Sequence, residues 1–256
     1  MPVEYVEFEE ARNAPGLRMI VVSGVPSPWG EAAKGILHVK GIPWKAVRLD
    51  QGSEAMAEWA GECSAPVAFF EDEAPRSGWS EILLLAERLA PETPLVPGDP
   101  ALRAEMFGLC HELCAEQGLG WMRRLEGIHQ GLDGGTGFPP PVAKYLAAKY
   151  GYRAEDAPGH AARVADLLRL FAGRLRAQRE AGSRYYLGDA LTALDVYSAA
   201  FMGIVKPLPP EQCAMIEPLR AAFELRDEAT AKALDPILLE HRDFVYATHL
   251  ELPLSL

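Results

Sequence analysis

The hydrophobic pattern changes character once along the chain. In the first third, short apolar runs alternate with helical periodicity. "RMIVVSG" (Arg18 to Gly24) is a β-branched run closed by glycine, and Pro28 to Lys40 follows with Ala32, Ala33, Ile36 and Leu37 on helical spacing. Gly41 then reads as the stop of that helix. "WKAVRLD" (Trp44 to Asp50) alternates as a strand does, which completes a βαβ unit whose crossover makes the two strands parallel. After a short or irregular helical stretch, "QGSEAMAEWAGE", comes "APVAFFED" (Ala65 to Asp72), a strand with Pro66 at its very start. "APRSGW" has the length of one more hairpin strand, and "SEILLLAERLAP" (Ser80 to Pro91) predicts a compact helix ended by proline.

The segment "APETPLVPGDP" carries four prolines between Pro91 and Pro100, the composition of an interdomain linker. Beyond it the periodicity is helical: Leu102, Met106, Leu109, Cys110 and Leu113 recur at three- and four-residue steps, as do Val164, Leu167, Leu168, Phe171 and Leu175. "GLDGGTGFPPP" (Gly131 to Pro141) is a loop by composition. The pattern predicts an α/β domain over residues 18–91, a linker over 92–100 and an all-α domain over 101–256. Residues 1–17 are left as an acidic N-terminal extension without an assigned role.

Charge narrows the partners. Among 256 residues, 25 Lys and Arg against 36 Asp and Glu leave a formal net charge of -11, which repels nucleic-acid phosphates and anionic lipid surfaces. No apolar run approaches the roughly 20 residues that cross a bilayer, and the start "MPVEYVEFEEARNAPG" has neither a basic n-region nor an apolar h-region. The expectation is a cytoplasmic protein that binds neither nucleic acid nor membrane. Four scattered cysteines (Cys63, Cys110, Cys114, Cys213) form no disulfide framework, which suits a reducing compartment. "CHELC" sets Cys110 and Cys114 one helical turn apart with His111 between them, but no second ligand pair follows. They read as thiols in a helical core, and no metal is expected.

"YYLGDALTALDVYSAAFMGIV" (Tyr185 to Val205) holds a strong local device. Thr192 is placed to cap a helix on the N–H of residue 195, and Asp195 to reach back to the N–H of residue 192. With "SPW" at residues 27–29, "AP" at 65 and 66, and the order of elements from Arg18 to Tyr197, this "LGDALTALD" start resembles the glutathione transferase superfamily. The resemblance implies a thioredoxin-like N-terminal domain with a mixed four-stranded sheet, then an all-α helical-bundle domain, in a homodimer. It implies glutathione as co-substrate and a small electrophile as second substrate.

Carried onto this sequence, the resemblance makes Ser27 the hydroxyl that stabilises the glutathione thiolate, with Ser23 as its alternate. Ser27 reads equally well as a helix N-cap, since serine caps, Pro28 suits the first helical position and Glu31 suits the positive first turn. A serine here forms no mixed disulfide, which disfavours thiol reductase chemistry. Ala65 and Pro66 match the pair at which the superfamily has a cis proline and pairs with the cysteinyl backbone of glutathione. At the third helix the superfamily's Glu-Ser pair falls on Glu81 and Ile82: the carboxylate and the amide are kept, the hydroxyl is lost. That loss costs about 1.5–3 kcal/mol, roughly 10–150-fold in affinity, unless Ser80 substitutes. Ser80 as N-cap and Glu81 on the helix dipole is the purely structural reading of the same residues.

Trp29 is the candidate wall of the second-substrate pocket, in company with Trp121, Met122, Phe138 and Tyr145. Arg123 and Arg124 suit either an anionic substrate or a solvated helix face. A different class of function also fits: the departure at Ile82 and the cap-like setting of Ser27 suit a non-catalytic scaffold that binds a protein partner or another ligand.

Overall fold

The computed structural model describes residues 3–135, 137–224 and 227–256. Four strands, β1 (Glu4–Tyr5), β2 (Leu17–Val21), β3 (Trp44–Arg48) and β4 (Val67–Phe70), form one sheet in the order β1-β3-β2-β4. β2 pairs in parallel with β3 and antiparallel with β4, so Ile20 lies opposite Val47 on one side and Val67 on the other. Helices α1 (Phe8–Asn13), α2 (Pro28–Val39), α3 (Glu54–Ala60) and α4 (Trp79–Leu89) cover both faces. Every residue of β2 is buried for that reason, Arg18 included, whose guanidinium donates to the Gly16 and Glu71 carbonyls. The two-residue period of the strand sorts its side chains. Leu17, Met19 and Val21 join the core beneath α2 and α4. Ile20, with Val47, Val67 and Phe69, meets Ala11 of α1 and Met56 and Ala60 of α3.

The sheet is mixed and four-stranded, but its membership differs from the expectation. "APRSGW" contributes a single antiparallel bridge, Arg76 to Ala68, instead of a strand. Pro75 offers no N–H to a ladder and α4 starts three residues after the bridge, so pairing ends as soon as it begins. The fourth strand is β1, from the acidic N-terminal segment, paired with β3 through Glu4 opposite Lys45 and Tyr5 opposite Ala46.

Beyond residue 99 every described element is helical: α5 (Pro100–Cys114), α6 (Leu119–Leu132), α7 (Pro140–Tyr150), α8 (Ala157–Glu180), α9 (Ala193–Met202), α10 (Glu217–Glu224), α11 (Glu228–Ala233) and α12 (Pro236–His249), with a short 3-10 turn over 154–156. The Thr192–Asp195 device starts α9. Asp195 is wholly buried, and its carboxylate accepts the Thr192 N–H (2.8 Å), the Thr192 hydroxyl (2.9 Å), the Tyr186 N–H (2.9 Å) and His241 Nε2 (3.0 Å). The Thr192 hydroxyl therefore gives its proton to a buried anion, the stronger acceptor.

The α/β layer and the helices share one apolar core. α2 packs directly on α9 at Gly35, where a Cβ would stand 3.0 Å from Val196 Cγ1 and 3.1 Å from Leu250 Cδ2. α2 ends as its sequence indicates, with Gly41 in the left-handed region at φ 63. Its far side is tied down by Lys34, which donates to the Ser255 carbonyl (2.7 Å) and pairs with buried Glu31 (2.6 Å). α2 is thereby tied to the helical half at Gly35 and Lys34.

Candidate functional site

A cavity of about 630 Å³ opens between the N-terminal end of α2 and the faces of α6 and α7. Ser27 lines it, 7% exposed, as the N-cap residue of α2. Its carbonyl accepts the Glu31 N–H (2.8 Å) and Pro28 occupies the first helical position, so the backbone starts the helix. The hydroxyl makes no cap hydrogen bond. It stands at the positive end of a twelve-residue helix, with its donor uncommitted to that helix. Ser23, at the end of β2, lines the same cavity but is exposed.

Ala65 and Pro66 form the adjoining wall, and the bond between them is cis. Among the described residues, neither the N–H nor the carbonyl of Ala65 has a hydrogen-bond partner. Ser64, just before them, accepts from Lys149 Nζ of α7 (2.8 Å), a bridge between the two halves at the rim.

Glu81 and Ile82 stand apart from this group. Neither lines the cavity. α4 begins at Trp79, so Ile82 is already inside the helix: its N–H donates to the Gly78 carbonyl (3.0 Å) and its side chain, 2% exposed, lies in the core. The free amide that sequence alignment leaves at this position is therefore spent on the helix. Glu81 is exposed and its Oε2 accepts the Gly78 N–H (3.0 Å), closing the helix start as an acidic first-turn residue does. Ser80 does not line the cavity either, but Ser77, three residues earlier in the turn leading to α4, does.

The opposite wall is aromatic. Trp29 donates its indole N–H to the Cys114 carbonyl (2.8 Å) and packs edge-on against Phe201 (centroids 5.1 Å apart), which fixes its ring against the cavity. Trp121 and Tyr150 pack edge-to-face at 4.6 Å, and Phe138, Tyr145 and Phe223 complete the surface. Met122 is in the core and does not line it. Cys114 lies at the base, and burial pushes its thiol, like that of Cys110, well above the usual range, so both stay protonated and unreactive. Among the described residues no His, Cys, Asp or Glu group is arranged to hold a metal ion.

Arg123 and Arg124 diverge, and neither is a solvated face. Arg123, 4% exposed, pairs with Glu126 (3.1 Å) and donates to the Phe223 carbonyl (3.3 Å). Arg124 turns to the cavity, its guanidinium carbon 5.6 Å from the Phe138 ring centre and 5.2 Å from that of Phe223. Burial lowers its pKa, while the Tyr150 hydroxyl supports the charge. Burial and the neighbouring Arg124 likewise lower the pKa of Lys149. Lys149, Tyr150 and Phe223 carry no sequence signal of this role, because helices distant along the chain bring them together.

No family model and no curated protein matches this sequence. Solved structures do match. A glutathione S-transferase from Methylobacterium radiotolerans in complex with glutathione sulfonate aligns with 20% identity over 91% of each chain, TM-score 0.55. A glutathione transferase homologue from Sulfitobacter with bound glutathione is 15% identical over 91% of this chain and 94% of that one, TM-score 0.58. A maleylacetoacetate isomerase from Anaeromyxobacter dehalogenans, with dicarboxyethyl glutathione and citrate in its active site, is 18% identical over 92% and 88%, TM-score 0.52. No helix among the described residues is long and apolar enough to cross a membrane. With a mixed four-stranded thioredoxin-like sheet followed by a helical bundle, aligned with these structures over most of its length, the chain has the glutathione S-transferase fold.

Proposed function

We propose that this protein binds glutathione in the cavity between its two halves and conjugates it to small electrophiles, or cleaves them with it. The observation that carries this reading is the Ser27 hydroxyl, uncommitted to capping, at the positive end of α2 and on the same cavity as the Ala65 main chain. A thiol of reference pKa about 8.5 ionises near neutral pH when a hydrogen-bond donor and a helix N-terminus both face the sulfur. Ser27 donates its O–H to the thiolate. Ala65 pairs through its N–H and carbonyl with the cysteinyl backbone, and Pro66 holds that strand end in place. The Ser77 hydroxyl receives the γ-glutamyl carboxylate in place of the hydroxyl lost at Ile82. The thiolate attacks an electrophilic carbon laid against Trp29, forming the sulfur–carbon bond as the leaving group departs with the electron pair. The glutathione and glutathione derivatives held by the three similar structures support this reading.

A homodimer and a cytoplasmic setting belong to the same proposal, the latter supported by four free cysteines, of which Cys63 is exposed. A single species of monomer mass in sedimentation at micromolar concentration would overturn the dimer.

One observation favours the rival, a non-catalytic scaffold for a protein partner or another ligand: Glu81 and Ile82 are both spent on α4 and hold nothing in the cavity. Calorimetric titration of the protein with glutathione separates the two. Saturable binding at millimolar concentration or below is expected, and the absence of heat there leaves the scaffold.

A further inference from the structure

The helical wall of the cavity is positively charged in a chain whose formal net charge is -11. Arg124 and Lys149 both face it, and the Arg124 charge raises the cost of charging Lys149, as that of Arg123 does for Arg124. Lys149 has a countercharge nearby, Glu62 on the α/β side, and a hydrogen bond to Ser64. Arg124 has a hydrogen bond to the Tyr150 hydroxyl but no countercharge: among the described residues no carboxylate pairs with it, its Nε is buried without a partner, and its other surroundings are the rings of Phe138 and Phe223. A guanidinium does not shed its proton to relieve this, so an anion from outside is the group that satisfies it.

The position of that anion follows from the geometry. Ser27, Ala65 and Ser77, the residues proposed to hold glutathione, lie on the α/β side, whereas Arg124 stands on α6 among aromatic residues of the helical half. We propose that the second substrate is an electrophile bearing a carboxylate on an aromatic or apolar frame, its carboxylate seated bidentate on Arg124 and its frame lying between Trp29, Trp121 and Phe223. This rests on the reading of the cavity as a glutathione site, and deepens it by naming the class of molecule that enters beside the thiol. Lys149, at the rim, attracts the same charge and releases Ser64 as it does so.

The test compares two probes of one shape: 4-chloro-3-nitrobenzoate and the neutral 4-chloro-3-nitrobenzamide. Their dissociation constants are measured by calorimetry on the intact protein, alone and with S-methylglutathione, which occupies the glutathione end without a nucleophilic thiol. The wild type is expected to bind the benzoate about tenfold or more tightly than the amide, the range of a hydrogen bond to a charged group. Arg124→Gln should remove that preference and leave glutathione affinity unchanged, and Arg124→Lys should keep part of it. Equal binding of the two probes by the wild type overturns the proposal with no variant needed. So does a preference that survives Arg124→Gln, or a loss of glutathione affinity in that variant without any probe preference, which would assign Arg124 to glutathione itself. Failure of glutathione to bind is a separate result: it overturns the transferase reading, while the probe comparison without S-methylglutathione still reports on Arg124.

Discussion

Replacing Ser27 with alanine separates the two things a serine at a helix start can do. In the structure its hydroxyl makes no hydrogen bond to α2, and it is nearly buried at the cavity wall. If it donates to the glutathione thiolate, its removal forfeits a hydrogen bond to a charged group, about 1.5–3 kcal/mol. At about 1.36 kcal/mol per pKa unit, the bound thiol should rise by roughly one to two units. The positive end of α2 remains and contributes about 0.3–1 kcal/mol, so the thiol should still titrate slightly below free glutathione. The assay is a pH titration of the thiolate's ultraviolet absorbance in the complex, for wild type and Ser27→Ala. Below the shifted pKa, kcat/KM should fall in proportion to the thiolate lost, about tenfold or more. Folding provides the control. Loss of a working N-cap costs about 0.5–2 kcal/mol, whereas loss of this unbonded hydroxyl should cost less than about 0.5 kcal/mol in urea denaturation. An unchanged thiolate titration together with a stability loss near the upper value would refute the reasoning and leave Ser27 as a cap alone.

At the other end of glutathione, Ser77→Ala should weaken binding by about tenfold or more, while Glu81→Ala should leave binding unchanged and cost about 0.5–1 kcal/mol of stability through the start of α4; calorimetry and urea denaturation read the two separately. Glu126 introduces a pH dependence. Burial, its largest cause, raises the pKa of this carboxyl from 4.5 to about 7, against the pull of Arg123, and a side-chain hydrogen bond with Asp227, whose own pKa is depressed, raises it further. The folded protein then holds more protons than the unfolded one between those two pH values, so this contribution is fully present below about pH 4.5 and lost as pH rises through about 7. Glu126→Gln, which keeps the shared hydrogen bond without titrating, should stabilise the protein at pH 8 by the order of 1–3 kcal/mol and change little near pH 5; parallel losses at both pH values in thermal melts would contradict this. Asp195→Ala strips four donors of their buried acceptor and should cost about 3–5 kcal/mol in urea denaturation, with a protein that folds normally counting against the role given to that carboxylate.

Short-range patterns were legible without a structure because they are governed by local geometry. The parallel pairing of β2 with β3 followed from an apolar run, a helix of crossover length and an alternating run. The start of α9 followed from the spacing of Thr192 and Asp195, although the two further donors on that carboxylate, Tyr186 and His241, come from beyond it. Ser27, Ala65, Pro66 and Trp29 were named from sequence, and folding brings them to one cavity. The resemblance places the superfamily's Glu-Ser pair on Glu81 and Ile82, but a resemblance in sequence does not fix where the helix begins. A start at Trp79 puts Ile82 within the hydrogen-bonded ladder and leaves Ser77 facing the cavity.

By itself, then, the sequence determined what depends on neighbours within a few residues: the β2-α2-β3 unit, the start of α9 and the residues at the entrance of α2. Tertiary structure alone decided what depends on distance across the chain. β1 rather than "APRSGW" supplies the fourth strand because its partner lies some forty residues away, on β3. Arg123 and Arg124 are adjacent in sequence, yet a helix turns by roughly 100° per residue, so one is paired with Glu126 and the other faces the cavity. The surroundings of the one that faces the cavity are Phe138, Tyr150 and Phe223, and no spacing in the sequence encodes their convergence.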